Sequence, residues 1–251
     1  MKLQILGSGT ILPSATRSAA VYAVMVENKI VLLDMGPGLL RRMAEAKIEI
    51  RDVDFIFFSH FHPDHTGDFV PFIFASKNPF GPMREKDLTI IAPVGFGEFY
   101  NGLIEVYGKW IIPESYEIHI EEMMDEKRDF DVFSVTTAKS NHSPESIAVR
   151  IDAGGHSLVY TGDTDWSDDL ITLSDEAELL IIDSAFPDDM KTPGHLTPTE
   201  AAEIAVKAGI KRVLPTHFYP PMEDVDVVAV FAAASFKGEV IRPLDLMVID
   251  V

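Results

Sequence analysis

Three histidines and one aspartate fall within six consecutive positions of this chain, in the segment His60–His65 with the sequence HFHPDH. The segment directly follows Phe55–Phe58, a short apolar run that predicts a buried strand. Clusters of polar side chains just past a buried strand are typical of α/β proteins, whose sites lie beyond the carboxyl ends of the strands. This feature therefore favours an α/β fold with a functional site at one sheet edge.

The residue types in this segment predict a metal site. His60 and His62 are two positions apart, and on extended backbone such side chains point to the same side and can bind one ion together. Asp64 and His65 follow on a turn and would face a neighbouring point. Imidazole combined with carboxylate suits Zn²⁺ first, with Mn²⁺ or iron as alternatives.

Further ligands must also be histidines or carboxylates, because the chain contains no cysteine and therefore no thiolate zinc site, disulfide or cysteine nucleophile. Three candidates each lie just past a predicted apolar strand: His142, Asp163 and His217. Taken singly, each is better explained as a turn residue or a paired polar group. Together with His60–His65, their repeated placement predicts a site with two metal ions.

Short apolar strands alternate with helical patterns along the whole chain, which predicts an α/β architecture. The predicted strands that lead to the candidate ligands are Phe55–Phe58, Val132–Ala138, Ser157–Tyr160 and Arg212–Leu214. Predicted helices cover Gly38–Lys47, Phe96–Tyr107, Thr199–Ala208 and Asp224–Ala234. The start of the third is marked by a capping box, with Thr197 as cap, Pro198 in the first turn and Glu200 closing the box.

The order of these residues resembles the metallo-β-lactamase superfamily. The match is His60-x-His62-x-Asp64-His65 followed by His142, Asp163 and His217, and it spans most of the chain. The segments Leu6–Thr10, Arg17-Ser18 and Leu32–Gly36 are similar as well. The resemblance implies an α/β fold of four layers, an αβ/βα sandwich. It also implies one domain over residues 1–251, built from two similar halves with the metals between them.

The same resemblance assigns roles to individual residues. It implies that one metal is held by His60, His62 and His142, the other by Asp64, His65 and His217, and that Asp163 bridges the two. Asp34 would orient a ligand histidine, although it also fits a simple turn residue at a strand end.

A further motif, Gly194-His195-Leu196-Thr197 ahead of a helix, resembles the ribonuclease Z branch of that superfamily. In that branch a histidine at this place faces the substrate phosphate. The resemblance implies that His195 stabilises charge or protonates the leaving oxygen. The alternative for His195 is a surface residue near a helix cap.

One feature departs from ribonuclease Z, which commonly carries a long basic arm between the positions of His142 and Asp163. Only twenty residues separate these positions here, enough for two strands and the turn Asp152–His156. The net charge of −19 also repels polyanions. We therefore expect a small phosphodiester substrate and regard tRNA as an unlikely partner.

The expected activity is metal-dependent hydrolysis by a hydroxide shared between the two ions, with Asp64 as a catalytic residue that orients it. Three other activities stay open. The first is hydrolysis of a lactone, sulfate ester or β-lactam. The second is the redox chemistry of a diiron protein or dioxygenase, which His62 disfavours because the diiron electron-transfer branch tends to carry glutamate there. The third is binding without catalysis.

The surroundings of the site are less constrained. The N-terminal residues lack the pattern of a signal peptide, and no run approaches the ~20 apolar residues that span a bilayer, so we expect a cytoplasmic protein without membrane contact. The segment Ser76–Trp110 is expected to shape the substrate entrance or to form a homodimer surface. Its apolar candidates are Phe80, Met83, Phe96, Phe99, Tyr100 and Trp110.

Overall fold

The computed structural model describes residues 1–78, 80–81 and 83–251, and its backbone is organised around two sheets of seven strands each. Side by side, the first sheet contains β14 (Val248–Asp250), β1 (Lys2–Gly7), β2 (Val21–Val26), β3 (Lys29–Leu33), β4 (Phe55–Phe57), β5 (Leu88–Pro93) and β6 (Ile118–Met123). The second contains β7 (Lys127–Asp129), β8 (Ser134–Lys139), β9 (Ile147–Ala153), β10 (His156–Tyr160), β11 (Leu179–Asp183), β12 (Arg212–Thr216) and β13 (Glu239–Val240).

Helices accompany each sheet. Those of the first are α1 (Leu39–Ala46), α2 (Pro63–Thr66), α3 (Phe69–Ser76) and α4 (Phe96–Tyr107). Those of the second are α5 (Asp168–Leu173), α6 (Pro198–Lys207) and α7 (Val227–Ala233). Short 3-10 turns lie at Ile50–Asp52, Gly108–Ile111, Asp188–Met190 and Pro220–Asp224.

Alternation of side chains along the strands explains the layers. In β2, Tyr22 packs into a core shared by both sheets, whereas Ala23 packs into a core shared with α1, α3 and α4. On the other side, Val159 of β10 packs with α5, α6 and α7, and its neighbour Leu158 faces the central core. The chain is therefore arranged in four layers, in the order helices, sheet, sheet, helices. The predicted αβ/βα sandwich is confirmed.

The topology brings several strand ends to one edge. Strands β3, β4, β5 and β6 run parallel, as do β10, β11, β12 and β13. Each parallel set is joined to antiparallel strands, β1–β2–β3 in one sheet and β8–β9–β10 in the other. Because parallel strands end at the same edge of a sheet, the residues after them are positioned to meet.

Some elements were missed by the sequence analysis. Helix α3 buries Phe69, Phe72 and Ile73 on one face, but the residues between them are apolar too, so the helical period is hidden. Strand β7 consists of three charged residues at a sheet edge and carries no apolar alternation. The segment Ser76–Trp110 includes Pro79 and Pro82, which lie outside the described residues.

Within the described ranges, no helix has the length and apolar character needed to cross a membrane.

Candidate metal centre

The predicted ligands come from both sheets and meet at one edge of the sandwich. His60 and His62 follow β4, Asp64 and His65 lie in α2, His142 follows β8, Asp163 follows β10, His195 precedes α6 and His217 follows β12. Residues separated by more than 150 positions thus contribute to one site, as in the contact between His217 and Asp64.

The first group of potential ligand atoms belongs to His60, His62, His142 and Asp163, and these atoms lie within 4.8 Å of one another. Nδ1 of His62 lies 3.1 Å from Nε2 of His142. Nε2 of His60 and Nε2 of His142 each lie 3.8 Å from Oδ2 of Asp163. Ligand atoms about 2.1 Å from a tetrahedral ion stand about 3.4 Å apart, so this spacing matches one ion.

The second group consists of Asp64, His65, Asp163 and His217, again within 4.8 Å. Oδ1 of Asp163 lies 3.2 Å from Nε2 of His65 and 3.5 Å from Nδ1 of His217. Nε2 of His217 lies 3.4 Å from Oδ2 of Asp64. Asp163 therefore faces the two groups with different oxygens, which is the arrangement that a bridging carboxylate requires.

The buried atoms at this site also fit a metal. Nε2 of His60, Nε2 of His65, Nδ1 of His217 and Oδ1 of Asp163 are buried and have no hydrogen-bond partner in the described part of the chain. Leaving a buried polar atom unpaired costs ~1–3 kcal/mol, and here four such atoms converge. Two divalent cations bound between them would satisfy all four.

The other ring nitrogens of three histidines are occupied by hydrogen bonds. Nδ1 of His65 lies 2.7 Å from Oδ2 of Asp34, Nδ1 of His60 lies 2.9 Å from the Ser59 hydroxyl, and Nδ1 of His142 lies 2.8 Å from the Gly194 carbonyl oxygen. Histidine ligands commonly use one nitrogen for the metal and the other for such a partner.

The charges of the groups follow from burial and from each other. Burial lowers the pKa of His60 well below its usual value, and the neighbouring His65 adds to the effect. Burial also lowers the pKa of His142. Both rings are therefore neutral near pH 7 and keep the lone pair that binds a metal.

In the second group, neighbouring charges outweigh the effect of burial on the pKa values. Burial alone would lower the pKa of His65, but the carboxylates of Asp163 and Asp34 outweigh it and raise that pKa well above its usual value. Burial alone would raise the pKa of Asp163, but His217 and His65 hold it well below its usual range. Asp64 is likewise held at a pKa of about 2, mainly by His217, against the effect of burial. The carboxylates are ionised and supply negative charge for cations.

His195 lies beside both groups. Its ring centroid is 4.9 Å from that of His142 and 5.3 Å from that of His217. Nδ1 of His195 lies 2.9 Å from Oδ2 of Asp183, a fully buried carboxylate at the end of β11. Since this bond occupies Nδ1, the ring presents Nε2 for other contacts.

Asp183 was missed by the sequence analysis. It ends an apolar strand, as Asp163 and His217 follow theirs, so the same placement rule identifies it. One potential ligand group even combines it with Asp163, His195 and His217. Its Oδ2 also accepts a hydrogen bond of 3.0 Å from the backbone N–H of Thr164, which fixes the carboxylate relative to His195.

Two glycines allow the backbone to approach the site. Gly162 has a φ of 58°, and a Cβ there would lie 2.5 Å from Cβ of Ser59. Gly194 has a φ of 86°, and its Cβ would lie 3.0 Å from Nδ1 of His142. Left-handed backbone also occurs at the non-glycine residues Asp34 and His217, both with a φ of 61°. Such conformations are costly for residues with a Cβ, and in the described part of the chain six further non-glycine residues outside the site adopt them.

The apolar residues of the segment Ser76–Trp110 have two different environments. Phe96 and Tyr100 are buried in the core, and Phe99 stacks on Phe61 of the ligand-bearing turn at 5.0 Å. In contrast, Phe80 is 99% exposed and Trp110 is 59% exposed. With Met83, these exposed residues line a cavity of about 560 Å³ whose lining contains none of the ligand residues. A homodimer surface here stays a prediction.

Known proteins resemble this chain in sequence and in fold. A family model described as a beta-lactamase superfamily domain matches residues 29–218, which include every candidate ligand. Ribonuclease Z 1 of Schizosaccharomyces pombe is 29% identical over 96% of this chain, which spans about a third (34%) of that longer protein.

Two further proteins match over nearly their whole length. The probable metallo-hydrolase YhfI of Bacillus subtilis is 29% identical, with 96% of each chain covered. The crystal structure of YhfI, a metallo-beta-lactamase fold protein, superposes with a TM-score of 0.85 over 99% of this chain and 98% of YhfI, at 26% identity. The short form of human tRNase Z shares the fold, with a TM-score of 0.81 and 22% identity over 100% and 99% of the two chains.

Proposed function

Because this chain belongs to the metallo-β-lactamase superfamily of metallo-hydrolases, we propose that it is a phosphodiesterase and that the metal centre is its active site. The observation that carries the proposal is the position of His195. Its ring stands beside His142 of one ligand group and His217 of the other, so it reaches a substrate that spans both. The names of the relatives, ribonuclease Z and a metallo-hydrolase, support the same class of reaction.

In this proposal the ligands divide as the two groups do. One ion would be held by His60, His62 and His142 and the second by Asp64, His65 and His217, with Asp163 facing both groups. The unpaired buried atoms and the absence of cysteine from the sequence support divalent ions with nitrogen and oxygen ligands, Zn²⁺ first and Mn²⁺ or iron as alternatives. When bound, two such ions lower the pKa of water and neutralise the charge of a phosphate.

Residues beside the ligand groups hold, donate or accept the protons of the reaction. Asp183 accepts the hydrogen bond from Nδ1 of His195, so a second proton on the ring sits on Nε2, the atom turned towards the site. From Nε2, His195 donates to the leaving oxygen or to a phosphate oxygen. Asp64 is ionised and accepts a hydrogen bond from the attacking water, which orients it.

Two features bear on the size of the substrate: the hairpin β9–β10 of the second sheet and the net charge of the chain. Strands β9 and β10 are joined by the two-residue turn Gly154-Gly155, so the chain between His142 and Asp163 forms a short hairpin and no arm. The net charge of −19 opposes the approach of long polyanions. Both features favour a small phosphodiester over tRNA.

The leaving group of the substrate provides the test. Bis(p-nitrophenyl) phosphate releases an anion that needs no proton at neutral pH, whereas a dinucleotide releases an alkoxide that does. We expect the wild type to cleave both. In His195→Ala, we expect the dinucleotide rate to fall ~10²–10⁴-fold, with both ions still bound by metal analysis. His156→Ala removes an imidazole paired with Glu178, outside the ligand groups, and serves as the control with unchanged rates.

Each outcome has a meaning. A loss on the dinucleotide alone assigns His195 to leaving-group protonation, and an equal loss on both substrates assigns it to charge stabilisation. Full activity of His195→Ala on both, or rapid lactone opening by a wild type that leaves both diesters intact, would contradict the proposal. Cleavage of a precursor tRNA at a higher kcat/KM than the dinucleotide would reject the small-substrate part.

A further inference from the structure

The carboxylate of Asp34 is a buried junction of hydrogen bonds below the metal centre. Asp34 directly follows β3 and is fully buried. Its Oδ2 accepts from the Ser59 hydroxyl at 2.8 Å and the Tyr160 hydroxyl at 2.6 Å and lies 2.7 Å from Nδ1 of His65. Its Oδ1 accepts from the backbone N–H of Ser59 at 2.7 Å. A buried charge with four such partners has a fixed position.

Asp34 is linked by hydrogen bonds to one histidine of each ligand group, directly to one and through Ser59 to the other. His65, of the second group, contacts Asp34 directly. His60, of the first group, is reached through Ser59: the Ser59 hydroxyl gives its only proton to Asp34 and therefore accepts one from Nδ1 of His60, 2.9 Å away. That proton leaves the lone pair of His60 on Nε2, the unpaired atom that faces Asp163.

Tyr160 links the junction to the opposite sheet. Asp34 and Ser59 follow strands β3 and β4 of the first sheet, whereas Tyr160 is the last residue of β10 in the second. The phenol is 1% exposed, and its ring packs against that of Tyr22 with centroids 5.3 Å apart. Since both rings are confined in the central core, the Tyr160 hydroxyl is held in place and fixes Asp34 from across the interface between the sheets.

We propose that Tyr160 is a positioning residue for both metal ions, acting through Asp34 on His65 and through Asp34 and Ser59 on His60. This inference rests on the metal ligands assigned in the proposed function but not on the reaction or the substrate. It predicts that loss of one hydroxyl outside both ligand groups weakens both ions together. A tyrosine that serves only core packing would lower stability and leave the metal affinities unchanged.

The experiment measures Zn²⁺ affinity of the metal-free protein by competition with a chromophoric chelator. For Tyr160→Phe we expect both Zn²⁺ ions to bind 10–100-fold more weakly than in the wild type. Tyr100→Phe is the matched control, because it also removes a buried phenol hydroxyl, one that donates to the Ile111 carbonyl at 2.7 Å in the first half. We expect it to keep both wild-type affinities.

Wild-type affinity of Tyr160→Phe for either ion would overturn the inference. Should Tyr160→Phe fail to fold by circular dichroism, Ser59→Ala decides, since it removes the link to His60 and one of the hydrogen bonds that hold Asp34. At least one of the two affinities should fall 10–100-fold, and two unchanged affinities overturn the inference. A wild type that binds two Zn²⁺ without cleaving diesters rejects the proposed reaction alone. A wild type that binds no Zn²⁺ rejects the ligand assignment and this inference together.

Discussion

At the scale of single residues, burial decides which groups carry charge. It lowers the pKa of His60, where the nearby carboxylate of Asp163 only partly offsets the effect, whereas at His65 two carboxylates reverse it. It also acts on tyrosines far from the metal centre. Burial raises the pKa of Tyr100 from 10.0 to about 12, because the phenolate would lose its hydration.

This shift predicts a loss of stability in alkali. The folded pKa lies above the unfolded value, so the contribution of Tyr100 is complete below pH 10.0 and is lost as the pH rises through about 12. At neutral pH, Tyr100→Phe should be less stable by about 1 kcal/mol, since its bond to Ile111 is lost. Urea unfolding should show this difference shrinking above pH 10.0. A difference that stays constant with pH would contradict the assignment.

At the scale of elements, the start of α6 determines where His195 lies. Thr197 accepts from the backbone N–H of Glu200, and the Glu200 carboxylate accepts from the backbone N–H of Thr197 at 2.9 Å, so the capping box is complete. His195 stands two residues before this cap. The capped start of α6 thus fixes the backbone that directly follows His195.

Removal of the cap should therefore cost stability. We expect Thr197→Ala to lower the free energy of unfolding by ~0.5–2 kcal/mol. Glu203→Ala, at an exposed position of the same helix, should change it by less than ~0.5 kcal/mol. Urea unfolding of the three proteins measures both values, and equal effects of the two substitutions would show that the capping box does not stabilise α6.

The elements also show which parts of the structure are predictable from the sequence. The capping box of α6 was predictable because it is local, and α4 was predicted with its observed bounds, Phe96–Tyr107. Helix α2 spans only four residues, too few for a periodic signal. Asp183 fits the same strand-end placement as Asp163, but its role depends on the contact with His195, twelve residues later, which only the folded chain creates.

At the scale of the whole molecule, the candidate metal centre lies where the two sheets meet. That the candidate ligands lie together could be predicted, because the segment His60–His65 is dense and the other candidates each follow a strand. The hydrogen-bond partners behind these residues could not be predicted. The bond from Tyr160 to Asp34, for example, joins residues 126 positions apart across the sheet interface. Only tertiary packing creates such a contact.

Metal removal should therefore destabilise the entire fold. Ions that bind the folded chain but not the unfolded chain add about 2.7 kcal/mol per site at a hundredfold excess over Kd. We expect a chelator to lower Tm and added Zn²⁺ to restore it. In Asp163→Ala, which removes the residue shared by both groups, Zn²⁺ should have a much smaller effect. A wild-type Tm that is insensitive to the chelator would argue against metal ions bound to the folded chain.

The division of the ligands between the sheets has a consequence for assembly. A cut in the turn 124–126, between β6 and β7, would leave His60, His62, Asp64 and His65 on one fragment and His142, Asp163 and His217 on the other. The second fragment would also carry β14, which pairs with β1 of the first. Neither fragment alone contains a full set of ligands for two ions. Zinc uptake by a mixture of the fragments would thus report their reassociation, and the protein is a natural starting point for a split reporter.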